Sequence, residues 1–403
     1  MHPRTWLSIL TLPLVAAFSY PVLLKGTQAP RTEAVQAKPD PLDGLADIQD
    51  VLALVRDNYV DPPDLAKVVG GGIQAALERA HPLNAYLLPE DLRLPDPGPA
   101  DVGIRLIKRG IYAHVIHVLP GSPAAAAGIQ VGEAIRRIDG ESIGPLSAWT
   151  LERRLRGPEG SAISLTRFVN STGDVKTVSL NRTVLPVPAI AVRKEQGAAV
   201  VALPDLAPGR AQELKRVLAP LDHGLALVLD LRLCAGGDTA EAARVTGLFA
   251  KVEPFATVQE AGRPDQGLAV AADLQPPFAK LAVLAGLSTI GPGELLASAL
   301  KKQGTPSFGD RTAGLAVERS RFLLRQGGAV ELVNRRWLGA GGEKLDRAGV
   351  VPEFPLRGLK PEEDLLPRIL ETLAKPREKA PAKADDGKKA WLAPLRTGDR
   401  LAA

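Results

Sequence analysis

The sequence predicts an α/β core preceded by an inserted β-sandwich and, on the N-terminal side, by a helical segment. From residue 198 onward, continuous apolar runs alternate with helix-forming stretches, which is typical of buried strands in an α/β layer. Between residues 103 and 185, short β-rich runs are separated by turn signals such as Asp139 followed by Gly140. A chain of 403 residues with 45% apolar content can bury more than one core, as this organisation requires.

The helical segment is indicated by apolar residues that recur at helical spacing between Leu45 and Val55. A second helix is predicted over residues 64–79, although the glycines at 70–72 lower the helix propensity of its middle. The predicted boundaries are 1–25 for a signal peptide or membrane anchor, 26–41 for a linker, 42–95 for the helical segment, 98–185 for the β-sandwich, 186–360 for the α/β core, and 361–403 for a C-terminal helix and disordered basic tail.

The first residues of the chain indicate its localisation. Arg4 precedes a largely uncharged apolar stretch over residues 6–24, which ends at Lys25. Such a stretch is typical of a secretory signal peptide or a short uncleaved anchor, and its continuation past Ala16 and Ala17 favours the anchor. A buried core helix is the alternative, but it fits poorly with the extreme N-terminal position. The sequence therefore predicts an extracytoplasmic protein of the periplasm or cell envelope, membrane-anchored or secreted.

Composition excludes several classes of partner and cofactor. The formal net charge is +5, but much of the basic excess lies between Lys375 and Lys389, without interleaved aromatic residues for base stacking. We therefore expect no nucleic-acid partner, whereas a loose attraction to an anionic membrane surface stays open. The single cysteine, Cys234, excludes an intrachain disulfide, and the histidines lack metal-ligand spacing, so we expect no metal and no other cofactor. His114 and His117 are expected to be partly exposed strand residues.

Five motifs occur in a fixed order along the chain. They are NYVDP at 58–62, HPLNAYLLPE at 81–90, GSPAAAAGIQVGEAIRRIDG at 121–140, LDLRLCAGG at 229–237 and GVVPE at 349–353. In this order and at this spacing they resemble the carboxyl-terminal processing, or tail-specific, serine peptidases over about residues 42–356. The resemblance implies a ClpP/crotonase-like peptidase core with an inserted PDZ-type β-sandwich.

The resemblance places a peptide-binding edge at the start of the sandwich. PDZ domains add an extended peptide to an exposed strand and hold its terminal carboxylate with successive backbone amides, here in the loop 101–104. Gly103 would allow close approach of the peptide backbone, and Arg105 would either attract the carboxylate or act as a solvated charge that protects the edge strand. The predicted peptide-binding residues are Val102, Gly103, Ile104, Arg105 and Leu106.

At the positions that the resemblance assigns to catalysis, the chain carries residues without the required groups. The nucleophilic serine corresponds to Gly291, which has no side chain to attack a carbonyl. The next residue, which should donate a backbone N–H to the oxyanion, is Pro292, and proline lacks that hydrogen. The lysine base corresponds to Leu315, and the neighbouring sequence offers no other lysine. Gly236 and Gly237 are left as residual oxyanion donors.

Substitute nucleophiles are available near these positions. Ser288 and Thr289 are the nearest hydroxyls, but no base is evident beside them, so we interpret both as loop hydroxyls. Cys234 is a thiol beside the glycine pair, and His223 is the base that could serve it. The strand over 225–231 lies between the two and should carry them to opposite ends of the sheet.

The sequence therefore favours a pseudoenzyme, although it leaves the question of enzymatic activity open. Gly291, Pro292 and Glu294 are explained without catalysis, as helix N-cap, first helical residue and an acid that complements the helix dipole. The leading hypothesis is a non-catalytic protein that binds C-terminal peptides of unfolded or precursor envelope proteins through the PDZ module. The alternatives are an active endopeptidase with a relocated Ser or Cys nucleophile, and a scaffold or regulator of an active paralogue.

Overall fold

The computed structural model describes residues 44–61, 63–170, 172–270, 272–356 and 365–375. The chain divides into two structural units, one ending at Pro63 and one beginning at Asp64. The predicted signal or anchor at 1–25, the linker at 26–41 and the basic tail from residue 376 lie outside the described residues.

The first unit contains helix α1 (Leu45–Asn58), which forms where the apolar spacing predicts a helix. None of its residues is buried. Across the described part of both units, no helix combines the length and the apolar character that a membrane span requires.

The second unit begins with helix α2 (Leu65–Ala80) and the short strand β1 (Ala85–Leu87). The helix continues through the three glycines at 70–72 and is held by contacts on either side of them. Asp64 caps its start by accepting a hydrogen bond from the Lys67 amide at 3.3 Å. Farther along, the Gln74 side chain accepts from the Tyr86 amide at 2.8 Å and so holds β1 beside the helix.

The inserted sandwich is a six-stranded antiparallel sheet with two short helices. Its elements are β2 (Ile104–Arg109), β3 (Tyr112–Val118), α3 (Pro123–Ala126), β4 (Ala134–Ile138), β5 (Glu141–Ser142), α4 (Ala148–Leu155), β6 (Ala162–Phe168) and β7 (Val175–Asn181). The strand order is β2-β3-β4-β6-β7, with β5 on β4, so β2 is an edge strand. Ser122 and Ser147 cap the two helices with their hydroxyls, as serine does at many helix starts.

The core contains two further sheets and the remaining helices. Its elements are β8 (Ala191–Glu195), β9 (Ala198–Ala202), α5 (Arg210–Leu218), β10 (Ala226–Asp230), α6 (Thr239–Gly247), β11 (Ala256–Glu260), β12 (Gln266–Leu268), β13 (Lys280–Ala285), α7 (Pro292–Lys302), β14 (Ser307–Gly309), β15 (Val317–Leu323), β16 (Ala329–Leu338), β17 (Phe354–Pro355) and α8 (Leu366–Ala374). The α/β layer, the inserted sandwich and the N-terminal helices are present as predicted.

The central sheet has the order β17-β14-β13-β10-β9-β8, and all its pairs are parallel except the pair of β8 with β9. One apolar cluster, which includes Leu295 and Leu300 of α7, covers one face of this sheet. On the other face, Leu366 and Ile369 of α8 pack against the strands, which explains why a C-terminal helix forms there. Burial on both faces accounts for the continuous apolar runs of these strands.

A second sheet has the order β1-β16-β11-β12, with β15 on β16. Charged side chains on β16 do not follow the apolar alternation by which strands are recognised in a sequence. Arg335 forms ion pairs with Glu260 on β11 at 3.0 Å and with Glu318 on β15 at 3.4 Å. Cross-strand charge pairs of this kind take the place of apolar contacts on an open sheet face.

The sandwich is held against the rest of the second unit by polar and apolar contacts. The Lys108 ammonium of β2 is buried and donates to a Glu78 carboxylate oxygen of α2 at 2.7 Å. Trp149 of α4 packs against Leu87 and Ala329 of the second sheet. These contacts fix the orientation of the edge strand β2 relative to the core.

Candidate functional site

The candidate catalytic positions lie where β10 and β13 end at the same edge of the central sheet. The parallel register pairs Asp230 with Leu284, so the two loops that follow leave the sheet side by side. An isolated parallel bridge between Ala235 and Ile290 continues this pairing into the loops. The residues after Ile290 then enter α7, which places Gly291 at the N-terminus of that helix.

Gly291 has a backbone conformation, with φ 62° and ψ −115°, that residues with a side chain rarely adopt. A Cβ added there would meet only the Leu315 carbonyl oxygen, at 3.7 Å, so the site has room for a side chain. The backbone, rather than space, therefore favours glycine. A non-glycine residue in such a region costs of order 1–3 kcal/mol of strain.

Leu315 lies directly beside Gly291 but presents only a hydrocarbon side chain. It is 7% exposed and packs in an apolar cluster with Ala313 and with Ile107 and Ile116 of the sandwich. The position that the resemblance assigns to the base is thus part of an apolar contact between sandwich and core. The structure brings the predicted nucleophile and base positions together, without a nucleophile or a base at either.

Glu294 joins the two loops that carry these positions. Its buried carboxylate accepts four hydrogen bonds: from the Thr312 hydroxyl at 2.5 Å, the Gly314 amide at 2.7 Å, the Leu315 amide at 2.8 Å and the Gly291 amide at 3.0 Å. Burial raises the pKa of Glu294 to about 7, against the opposing effect of these donors. The sequence predicted only that Glu294 complements the dipole at the start of the helix. Its contacts to residues 312–315 join segments that are distant in sequence, so local spacing does not indicate them.

The predicted substitute hydroxyls are engaged in structural hydrogen bonds. Ser288 is buried, and its hydroxyl donates to the Ile116 carbonyl of the sandwich at 2.7 Å. Thr289 is fully buried, donates to the Leu231 carbonyl at 2.7 Å and accepts from the Gly286 amide at 3.0 Å. Both therefore serve the packing of the loop between β13 and α7, which agrees with their interpretation as loop hydroxyls.

Cys234 and His223 are not brought together. Cys234 is fully buried, and burial raises the pKa of its thiol, which keeps the thiol protonated. His223 precedes β10, at the opposite end of that strand, and stacks on Phe278 with ring centroids 4.4 Å apart. The expectation that the strand separates them holds, and the thiol lacks this histidine as a base.

The predicted oxyanion residues have structural explanations of their own. Pro292 is the first residue of α7, where its missing N–H costs no hydrogen bond. Gly237 has φ 113°, and a Cβ on it would lie 2.3 Å from the Leu206 backbone, so packing alone demands glycine there. Gly236 also has a positive φ, and its carbonyl accepts from the Leu206 amide at 3.1 Å. Their role as oxyanion donors stays a prediction.

A groove of about 440 Å³ runs between β2 and α4 of the sandwich. Its floor is apolar, formed by Ile104, Leu151 and Leu155, while Arg105 and Glu152 are among its charged rim residues. The free edge of β2 borders this groove, which is the geometry that strand addition requires.

Three of the five predicted peptide-binding residues, Ile104, Arg105 and Leu106, line this groove. The Val102 side chain is fully buried in the sandwich core. Gly103 has no room for a side chain, because a Cβ on it would lie 2.2 Å from the Ser122 Cβ. Val102 and Gly103 could therefore contact a peptide only through their backbone, and peptide binding at all five residues stays a prediction.

A second cavity, of about 530 Å³, lies at the carboxyl ends of β9 and β10 beside the sandwich. Asp230 and Arg232 line it and form an ion pair at 2.7 Å. His117 also lines it and is buried rather than partly exposed as predicted, and burial together with Arg105 lowers its pKa to about 4. Within the described residues, no cluster of His, Cys, Asp or Glu is suited to holding a metal ion.

Comparison with known families agrees with this geometry. Residues 197–356 match the model of peptidase family S41, and residues 114–166 match a PDZ domain. The predicted resemblance and fold class are therefore confirmed, whereas the assignment of single catalytic positions stays a prediction.

Similar proteins carry processing-protease names. The chain is 27% identical over 342 residues to a carboxy-terminal-processing protease of Bartonella bacilliformis, covering 79% of this chain and 76% of that protein. It is 23% identical over 319 residues to a probable CtpA-like serine protease of Staphylococcus aureus, covering 77% of this chain but only 64% of that one. Among solved structures, a photosystem II D1 C-terminal processing protease shares the fold, with a TM-score of 0.63, 20% identity, and coverage of 78% and 92%.

Replacing Gly291 tests the backbone strain at the nucleophile position. We expect Gly291→Ser to lower the free energy of unfolding by about 1–3 kcal/mol, because serine must adopt a positive φ there. Urea denaturation of the purified protein measures this change. Gly71→Ser, at an exposed helical glycine with open space around it, is the control and should not destabilise the protein. Equal stability of Gly291→Ser and the wild type would show that the position carries no strain.

The pH dependence of unfolding tests the buried carboxyl of Glu294. Because its folded pKa is raised from 4.5 to about 7, the folded protein holds a proton that the unfolded chain releases in this window. This contribution to stability is full below pH 4.5 and falls as the pH rises to about 7, by roughly 1.4 kcal/mol per pH unit. Glu294→Gln should lack that slope in urea denaturation, and the exposed Glu371→Gln should keep it. Identical slopes in wild type and Glu294→Gln would contradict the assignment.

Proposed function

We propose that this chain is a PDZ-containing S41 homologue without peptidase activity, which binds C-terminal peptides of unfolded or precursor envelope proteins. The observation that carries the proposal is the pairing of Gly291 with Leu315. The two positions are adjacent, as attack on a peptide bond requires, yet neither carries a group that can attack or accept a proton.

The surroundings of this pair support the loss of catalysis. Activating a hydroxyl requires a base within hydrogen-bond reach, and Ser288 and Thr289 instead donate to backbone carbonyls. Pro292 removes one backbone donor to a developing oxyanion, a loss that typically costs about a hundred- to a thousandfold in rate. A relocated nucleophile is disfavoured because each nearby candidate is buried.

The groove of the PDZ domain supports peptide binding. Strand β2 has a free edge beside an apolar floor, so a bound strand would gain backbone hydrogen bonds and side-chain burial together. The cavity lined by Asp230 and Arg232, at the carboxyl ends of β9 and β10, offers further space for extended chain. The envelope location of the ligands rests on the apolar segment at 6–24, which is typical of secreted or anchored proteins.

A cleavage assay separates this proposal from a relocated active site. The purified full-length protein should leave an unfolded protein substrate intact over hours, with the same null result for Ser288→Ala and Cys234→Ala. The readout is the appearance of new peptide termini by mass spectrometry. Cleavage by the wild type that disappears in either variant would replace the proposal with an active peptidase.

A charge reversal tests peptide binding in the groove. Arg105 is 57% exposed in its side chain and lines the groove, so Arg105→Glu should weaken the binding of free-carboxylate peptides by about tenfold or more. Arg193→Glu is the matched control, since its side chain is 64% exposed on β8, outside the groove. Fluorescence anisotropy with a peptide library measures both. Absence of saturable binding in every folded variant would end the proposal.

A further inference from the structure

The loop that should receive a peptide carboxylate already holds a carboxylate of this chain. One oxygen of Asp101 accepts the Gly103 amide at 2.8 Å, and the other accepts from the Arg105 guanidinium at 3.2 Å. These donors are the backbone amide and the cation that the sequence assigns to capture of a peptide's C-terminus. Asp101 also lines the groove between β2 and α4.

Asp101 is held in this place by its own backbone. Its amide donates to the Thr183 carbonyl at 3.0 Å, and the Thr183 amide donates back to the Asp101 carbonyl at 3.1 Å. The residue is 8% exposed, so its side chain is far less free than an exposed aspartate. A carboxylate fixed in this way cannot move aside without losing both of its hydrogen bonds.

Two carboxylates in one loop would repel each other. A peptide carboxylate bound to the Gly103 amide would lie within a few ångströms of the Asp101 oxygens, and like charges placed side by side at an interface weaken binding. Arg105 offsets one negative charge and not two. The remaining groove, with Ile104 and Leu155 on its floor, is unaffected by this conflict.

We propose that Asp101 sets the ligand specificity of the PDZ groove by competing with the carboxylate of the peptide for the Gly103 amide and the Arg105 guanidinium. The inference rests on the proposed peptide binding and refines it. A strand with an uncharged end enters the groove freely, whereas a free C-terminus binds only by displacing Asp101. Removing the charge of Asp101 therefore strengthens the binding of free C-termini selectively.

The experiment compares two peptide pools on the full-length protein. Both pools are labelled decapeptides whose last three residues are randomised among Ala, Val, Leu and Phe, one ending in a carboxylate and one in a carboxamide. Asp101→Asn should bind the carboxylate pool at least about tenfold more tightly than the wild type, with the carboxamide pool unchanged. Asp174→Asn, an exposed aspartate in the turn before β7, makes the same charge change away from the groove and should alter neither affinity.

Each other outcome contradicts either the role of Asp101 or the proposed function. Unchanged affinity of Asp101→Asn for the carboxylate pool, with binding intact, overturns the role of Asp101 and leaves the proposed function standing. An equal gain for both pools also overturns it, because the charge of Asp101 would then oppose the bound strand itself rather than the terminal carboxylate of the peptide. If no folded variant binds either pool, the proposed function itself fails. Thermal melting verifies folding, and Asp101→Ser supplies a second neutral variant should Asp101→Asn not fold.

Discussion

The buried carboxylate of Glu294 is the constraint on which the geometry of the candidate catalytic site depends. It accepts donors from the start of α7 and from the loop 312–315, two segments about twenty residues apart in sequence. Without this acceptor, four donors around a buried side chain would be left unpaired, at a cost of about 1–3 kcal/mol each. Glu294 therefore keeps Gly291 and Leu315 adjacent whether or not chemistry takes place between them.

Around this fixed frame, the residues at the catalytic positions are those that favour stability. Glycine at 291 adopts its positive φ without the strain that a nucleophile would bear. Leucine at 315 fills an apolar contact with Ile107 and Ile116, where a lysine would have to bury its charge or lose its proton. Backbone strain and buried charge tend to cluster at functional sites. The relaxed glycine at 291 and the apolar leucine at 315 therefore agree with the proposed absence of peptidase activity.

The sequence predicted most of the α/β core, because strands buried on both faces have continuous apolar runs, and it predicted the edge strand β2 through its resemblance to a known family. It did not predict the second sheet, where pairs such as Arg335 with Glu260 hide the strand pattern. It predicted Val102 and Gly103 in the peptide-binding loop, but not that tertiary packing buries the Val102 side chain and brings Gly103 against Ser122. Contacts between distant segments decide these positions, and local spacing carries no record of them.

Strand β2 connects the two halves of the proposed function. Ile104 faces the groove, while Ile107 on the same strand packs against Leu315, and Lys108 is tied to Glu78 of α2. A peptide added to the edge of β2 would therefore extend a sheet that is already anchored on the core. Since a preorganised strand need not be ordered on binding, the entropic cost of capture falls mainly on the peptide. The same contacts that cover Leu315 thus hold the groove in a fixed geometry.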